Sequence, residues 1–258
     1  MDTRVRWKIE AKHHDKVFAQ KKVTGKADFD PQGFYQTRPF GMKKLLDSVG
    51  SVNQLRILDV GCGLGLFSLY FAAHGAVVYA LDISWEALNS FNVPQNVIKL
   101  HAAAELLPLS DGTVDVIWGT AVLHHLDLRL AIPEFYRVLK QGGRCFFYEP
   151  LAHNPVFNLW RWITPALRTP TERPLVISDL QLFMEVFDHM EVRFYHLLAS
   201  LPQAFGKIIG LLHLPGKSIY RKMQWLEPFL AKGDDFLFRV CPFFQRYSQV
   251  MGIICIKD

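Results

Sequence analysis

The residues whose types and spacing invite chemistry gather in the middle of the chain. Gly61-Cys62-Gly63-Leu64-Gly65 follows at once on a short apolar run, Arg56–Val60, that carries Asp59 near its end. Alternating glycines let a backbone turn tightly and let a ligand approach with no Cβ in the way. A helix beginning at Leu66 would point its N-terminus at that ligand. The turn alone is a weak signal, and a dinucleotide fingerprint wants glycine at the position held by Leu66. Asp82 closes the next apolar run, where an acid can accept hydrogen bonds from the two hydroxyls of a ribose. Its other reading is a cap for the helix that begins after Ser84.

A second group of polar residues follows. His124 and His125 come after a later apolar run, Glu149 ends another, and His153 lies in the loop beyond it. A histidine near its intrinsic pKa suits deprotonation of a phenol or an enolisable carbon. The bland alternatives are a His pair that opens the next helix through backbone bonds, and a His153 that only fixes its loop. Glu149, before Pro150, reads as a site residue, either for substrate or for a proton. Cys62, between two glycines, reads as packing. The histidines do not cluster with acids at ligand spacing and His13-His14 stands alone, so no metal is expected.

These groups need elements to position them. Strand patterns cover Arg56–Val60, Ala76–Leu81, Asn96–His101, Val114–Trp118 and Arg144–Glu149, with helical patterns at Leu66–Ala73, Trp85–Phe91 and Leu128–Leu139. That alternation predicts an α/β fold with right-handed crossovers and a mostly parallel, doubly wound sheet. Ligands of such sheets sit beyond the carboxyl ends of the strands, where Asp59 to Gly65, Asp82, Gly119–His125 and Glu149–Asn154 all fall.

The 258 residues suffice for a real core, and half are hydrophobic. Disordered, collagen-like and disulfide-scaffold classes are excluded. Aromatic residues reach 13%, an excess that suits a greasy pocket or contact surface. Four scattered cysteines without a CxxC pair fit a reducing compartment. With no secretory signal and no long apolar span, a cytoplasmic protein is expected. Net charge is +5, yet residues 56–150 are acidic, with 6 basic against 9 acidic residues, which favours a cationic ligand over nucleic acid.

Taken in order, Ile57 to Gly65, Val78–Ile83 with Asp82, Ala104-Glu105-Leu106-Leu107-Pro108-Leu109, Val114-Asp115-Val116-Ile117 running to Leu123-His124-His125, and Arg137 to Arg144 resemble the motifs of class I S-adenosylmethionine-dependent methyltransferases. Five ordered blocks are far more specific than one. The segment from Glu149-Pro150 through His153-Asn154-Pro155 to Thr164-Pro165 and Arg168-Thr169 resembles bacterial small-molecule members. The resemblance implies S-adenosylmethionine as cofactor and S-adenosylhomocysteine as product. It puts Gly61, Cys62, Gly63 and Gly65 beneath the methionine part, Asp82 on the ribose and Asp59 toward the amino group. Ala104, Glu105 and Gly119 are carried over with them, and Ile83 and Leu106 would pack on adenine. Many relatives have an acid two positions before Glu105; this chain has Ala103.

The resemblance further implies a seven-stranded Rossmann-like sheet with an antiparallel last strand. Residues 1–50 would form a helical lid, with a helix near Val5–Lys21 and with Tyr35 and Arg38 toward the methionine carboxylate or the substrate. Residues 51–154 would form the cofactor core. Residues 155–258 would complete the same domain, with strands at Val192–Leu198 and Ser248–Ile256 and a helical cap over the acceptor at about 199–245. The cap is aromatic and flanked by Lys207, Lys217, Arg221 and Lys222, so it reads as core, as a greasy pocket, or as a face that leans on lipid. The function expected is methyl transfer to the oxygen or carbon of a small, lipophilic molecule, in a biosynthetic setting. The rivals are a cofactor-binding relative without turnover and an RNA methyltransferase.

Overall fold

The computed structural model describes residues 2–19, 29–164, 169, 171–211 and 216–258. Three helices open the chain: α1 (Thr3–Ala19), α2 (Pro31–Gln36) and α3 (Phe40–Asp47). Five strands then alternate with helices: β1 (Arg56–Val60), α4 (Leu66–Ala73), β2 (Val77–Asp82), α5 (Trp85–Asn89), β3 (Val97–His101), β4 (Val114–Thr120), α6 (Leu128–Val138) and β5 (Leu139–Pro150). After α7 (Pro155–Ile163) and α8 (Leu180–Met184) comes β6 (His189–Tyr195). The helices α9 (Leu201–Leu211), α10 (Gly216–Met223) and α11 (Glu227–Val240) lead to β7 (Val250–Ile256).

The seven strands run in the order β3-β2-β1-β4-β5-β7-β6. The first five pair in parallel, and β7 is inserted antiparallel to both β5 and β6. Because successive side chains of a strand point to opposite faces, neighbours in sequence join different layers. Ile117 and Phe147 pack with Phe135 of α6 and Phe183 of α8, whereas Trp118 and Phe146 pack with Leu45 of α3 and Phe71 of α4. All of these are fully buried. Their burial, at roughly 1.5–3 kcal/mol per large side chain, is what fixes the sheet.

Two expected bounds shift. The sixth strand lies three residues before Val192–Leu198, because His196 adopts a left-handed φ of 64° and the chain leaves the sheet there. Asp234 draws it out by accepting the N–H groups of Leu197, Leu198 and Ala199. The fifth strand begins at Leu139, directly at the end of α6, with a register irregularity between Val114 and Val116.

The 199–245 segment is helical as expected, but it packs on α3 and on the turn after β6. Lys44 pairs with Asp235 at 2.8 Å, and Asn154 donates to the carbonyl of Tyr247. The expected lid helix beyond Ala19, Pro165 and Arg168 of the second resemblance, and Leu212–Leu214 of the insert lie outside the described residues, as do the side chains of Lys207, Lys217 and Arg221. Among the described residues, no helix is long and apolar enough to cross a membrane.

Candidate functional site

The carboxyl ends of β1, β2 and β4 meet helix α1 around a cavity of about 230 Å³. Its floor is the glycine turn. Gly61, Gly63 and Gly65 hold φ of 65°, 52° and 68°, all left-handed, a conformation that costs other residues about 1–2 kcal/mol. A Cβ on Gly61 would fall 2.6 Å from Val122, and one on Gly63 would crowd Phe18 of α1. Gly61 and Gly63 line the cavity directly. Gly65 starts α4 against the Phe91 ring, and Cys62 packs with the α4 layer, donating its N–H to Leu81. Burial pushes the Cys62 thiol well up.

Asp82 lines the cavity from the end of β2. Its carboxylate accepts the N–H of Gly63 and of Ser84, each at 2.8 Å. It thus ties the glycine turn to the next helix. Burial raises its pKa against the pull of those N–H groups. Asp59 sits deeper, 2% exposed, and accepts the Ser68 hydroxyl at 2.6 Å. Burial raises its pKa to about 7, with the nearby Asp82 charge pushing the same way. It is behind the turn and not on the cavity wall.

Ile83, Ala104 and Glu105 form the side of the cavity. Glu105 is 7% exposed, accepts the N–H of Asp127 at 3.0 Å and is raised in pKa by burial. Leu106 instead points to solvent, 66% exposed. The wall continues through Thr120, Ala121 and Val122 to His125. The buried Thr120 hydroxyl has no hydrogen-bond partner among the described residues. Gly119, one residue earlier, is behind this wall, where a Cβ would strike Phe147 at 2.6 Å.

The polar candidates separate. Glu149 is fully buried and turned inward: Oε1 accepts the N–H of Val122 and Leu123 at 2.7 and 3.0 Å, and Oε2 meets His124 Nδ1 at 2.9 Å. It therefore holds the turn after β4 and does not face the cavity, which also accounts for His124. His153 stands in the turn before α7, off the cavity wall. Only His125 of the four lines the cavity. Tyr35 and Arg38 are placed away from it as well: Tyr35 donates to Asp47 at 2.8 Å, and Arg38 donates to the Phe34 carbonyl with its guanidinium 4.4 Å from that ring.

Helix α1 contributes residues that lie outside the motifs. Trp7, Glu10, His14 and Phe18 of α1 close the cavity. Asp15, on the same helix, docks α1 by accepting the Ser84 hydroxyl and the Glu86 N–H. The signal was the i, i+3, i+4 spacing of these residues on one face. The chain was otherwise too polar there to suggest a site.

A mostly parallel sheet with a left-handed glycine turn after β1 and an acid at the end of β2 defines a Rossmann-like cofactor-binding domain. Residues 58–147 match the family model described as "Methyltransferase domain". The chain is 40% identical over 100 residues to a malonyl-[acyl-carrier protein] O-methyltransferase of Erwinia billingiae, covering 36% of this chain and 38% of that protein. It is 33% identical over 163 residues to the enzyme of the same name from Buchnera aphidicola, covering 61% and 65%. The matched segments thus span less than two thirds of those relatives. The fold also matches geranyl diphosphate C-methyltransferase from Streptomyces coelicolor, solved with Mg2+, geranyl diphosphate and S-adenosyl-L-homocysteine, at a TM-score of 0.57, 14% identity and 84% and 78% coverage. Residues 58–147, which run from β1 into β5, are thus similar to a methyltransferase domain.

Proposed function

We propose that the chain binds S-adenosylmethionine beneath α1 and transfers its methyl group to an oxygen of a small acceptor, leaving S-adenosylhomocysteine. The observation that carries this reading is the convergence of Gly61, Gly63, Asp82, Ile83, Ala104 and Glu105 on one cavity. Asp82 would accept the ribose hydroxyls, and the bare backbone of the glycine turn admits the methionine part. Ile83 and Ala104 offer apolar packing for adenine. The acids Asp82 and Glu105 on the wall suit a ligand bearing two positive charges. The bound donor supplies an already activated sulfonium methyl. The protein's work is then alignment of the acceptor and exclusion of water, and α1 supplies the cover.

Thr120 Oγ1 supports the reading further, as a buried hydroxyl still needing a partner. His125 lines the cavity, and a carboxylate acceptor would need no base. Oxygen is preferred to carbon because the relatives that are 40% and 33% identical over 100 and 163 residues are named O-methyltransferases. A lipophilic acceptor drawn from a lipid surface is supported by Trp162, Trp225, Phe229 and Phe236, which are 78%, 74%, 73% and 68% exposed.

The test uses methyl-labelled donor with a panel of carboxylic acids, hydroxylated lipids and bulk RNA, on wild type and Asp82→Ala. The expected result is label in an organic-extractable product and roughly tenfold to hundredfold weaker donor binding in the variant, the scale of lost charge-assisted hydrogen bonds. Label in RNA would overturn the acceptor class. Donor binding without transfer to any acceptor would favour a relative that has lost turnover.

A further inference from the structure

Glu10, His14 and His125 belong to different parts of the chain, yet all three line one corner of the cavity. Glu10 and His14 are one helical turn apart on α1, and His125 follows β4. Glu10 Oε2 is 3.1 Å from His125 Nδ1 and 3.4 Å from His14 Nε2. The imidazole rings of His14 and His125 stand nearly perpendicular, with centroids 5.0 Å apart.

Two observations set this trio apart from an ordinary ion pair. Glu10 is only 4% exposed, and both its Oε2 and His125 Nδ1 are buried without a hydrogen-bond partner among the described residues, although they lie 3.1 Å from each other. The donor axes therefore miss one another. Such axes can instead meet at a common point. The second observation is the handling of the other oxygen. Glu10 Oε1 accepts the hydroxyls of Thr169 and Thr171, which fixes the carboxylate so that Oε2 alone faces the two imidazoles. Outer-sphere bonds of this kind orient metal-binding carboxylates.

Two of the three ligand-atom separations agree with a tetrahedral ion, and all three atoms lie within 4.8 Å of one another. Ligand bonds of about 2.0–2.1 Å imply separations near 3.3 Å between ligand atoms, against the 3.1 and 3.4 Å found here. Two imidazole nitrogens and one carboxylate oxygen are a borderline donor set, which suits zinc-class first-row ions over Mg2+ or Ca2+.

We propose that Glu10, His14 and His125 bind a divalent ion of the zinc class that clamps α1 onto the turn after β4. Three protein ligands leave a fourth position on the cavity side for water or an acceptor oxygen. The site stands whether or not the methyl donor and acceptor are correctly assigned, because it is tested without either.

Chelator-treated full-length protein is titrated with ZnCl2 and, for a visible spectrum, with CoCl2. One ion per chain is expected, with Co2+ absorption of a four- or five-coordinate site, and Zn2+ should raise the melting temperature. His14→Gln, Glu10→Gln and His125→Ala should each weaken binding at least about tenfold, and Thr171→Val about tenfold through the outer sphere. His13→Ala, next along the helix, should leave it unchanged. His14 has a quarter of its side chain exposed, so His14→Gln reads the site with the helix intact, as an unchanged metal-free melting curve would verify. Three outcomes would overturn the proposal: no saturable binding, equal loss in His13→Ala, or loss in Glu172→Gln but not in Glu10→Gln. The last would move the ion to the neighbouring set of His124, His125 and Glu172.

Discussion

Residues 56–150 and the segment from α9 to β7 use aromatic side chains to opposite ends. In the first, Trp118, Phe135, Phe146 and Phe147 are wholly buried, and acids stand where strands end. In the second, α11 is inverted: Glu227, Ala231, Asp234 and Phe238 share the buried face, while Phe229, Phe236 and Val240 point to solvent. The buried acids are satisfied locally. Asp234 takes three backbone N–H groups, and Glu227 takes the Tyr220 hydroxyl. The contrast teaches that polar anchors dock the insert, whereas apolar burial fixes the sheet. Among the described residues the insert's aromatic face stays exposed, and burying it would gain roughly 1.5–3 kcal/mol per large side chain.

The sharpest way to break this contrast is Glu149→Ala. The change strands two buried N–H groups, of Val122 and Leu123, and removes the partner of His124. An unsatisfied buried donor costs about 1–3 kcal/mol, so a loss of about 2–4 kcal/mol in urea unfolding is expected. Donor affinity should fall with it, since Val122 lines the cavity. A loss under about 0.5 kcal/mol would place Glu149 with ordinary surface positions.

Asp59→Asn sharpens the same region more gently. Burial raises the Asp59 pKa from 3.8 to about 7. A carboxyl with a raised folded-state pKa contributes stability that is full below its unfolded pKa and lost as pH rises through the folded one. Wild type should therefore lose stability relative to Asp59→Asn between pH 4 and pH 7, with the gap level above. Asparagine can still accept the Ser68 hydroxyl, so its fold should hold. A gap that shrinks with rising pH would contradict the buried, partly protonated acid.

How far the sequence reached follows the same division. β1, α4 and α6 were legible almost to the residue because apolar periodicity and glycine punctuation agree there. Asp82, Ile83, Ala104 and Glu105 were legible because motif positions fall at strand ends. Glu149 turns inward where its position reads as a site residue, because a strand-end acid can face the ligand or turn back to cap its own loop, and sequence does not separate these. Tyr35 and Arg38 were drawn toward the cavity by their chemistry, but Asp47 and the Phe34 ring hold them elsewhere. Glu10 and His14 went unseen because their partner, His125, is brought near only by how α1 lies across the sheet.

The smallest expected effect on stability, and the one that tests the insert, comes from Phe229→Ser with Phe236→Ser. Both rings are more than two thirds exposed, so truncation removes almost no packing. Unfolding free energy should stay within about 0.5 kcal/mol of wild type, and donor binding should be unchanged, because neither side chain lines the cavity. Sedimentation with vesicles containing anionic lipid should fall severalfold, since the exposed Lys232 and Arg239 of α11 would remain with only Val240 as an exposed large apolar side chain on that helix. Equal sedimentation of variant and wild type would leave charge as the whole of any lipid contact. A large loss of stability would instead mean that these rings are covered within the fold, and the two regions would then differ in degree only.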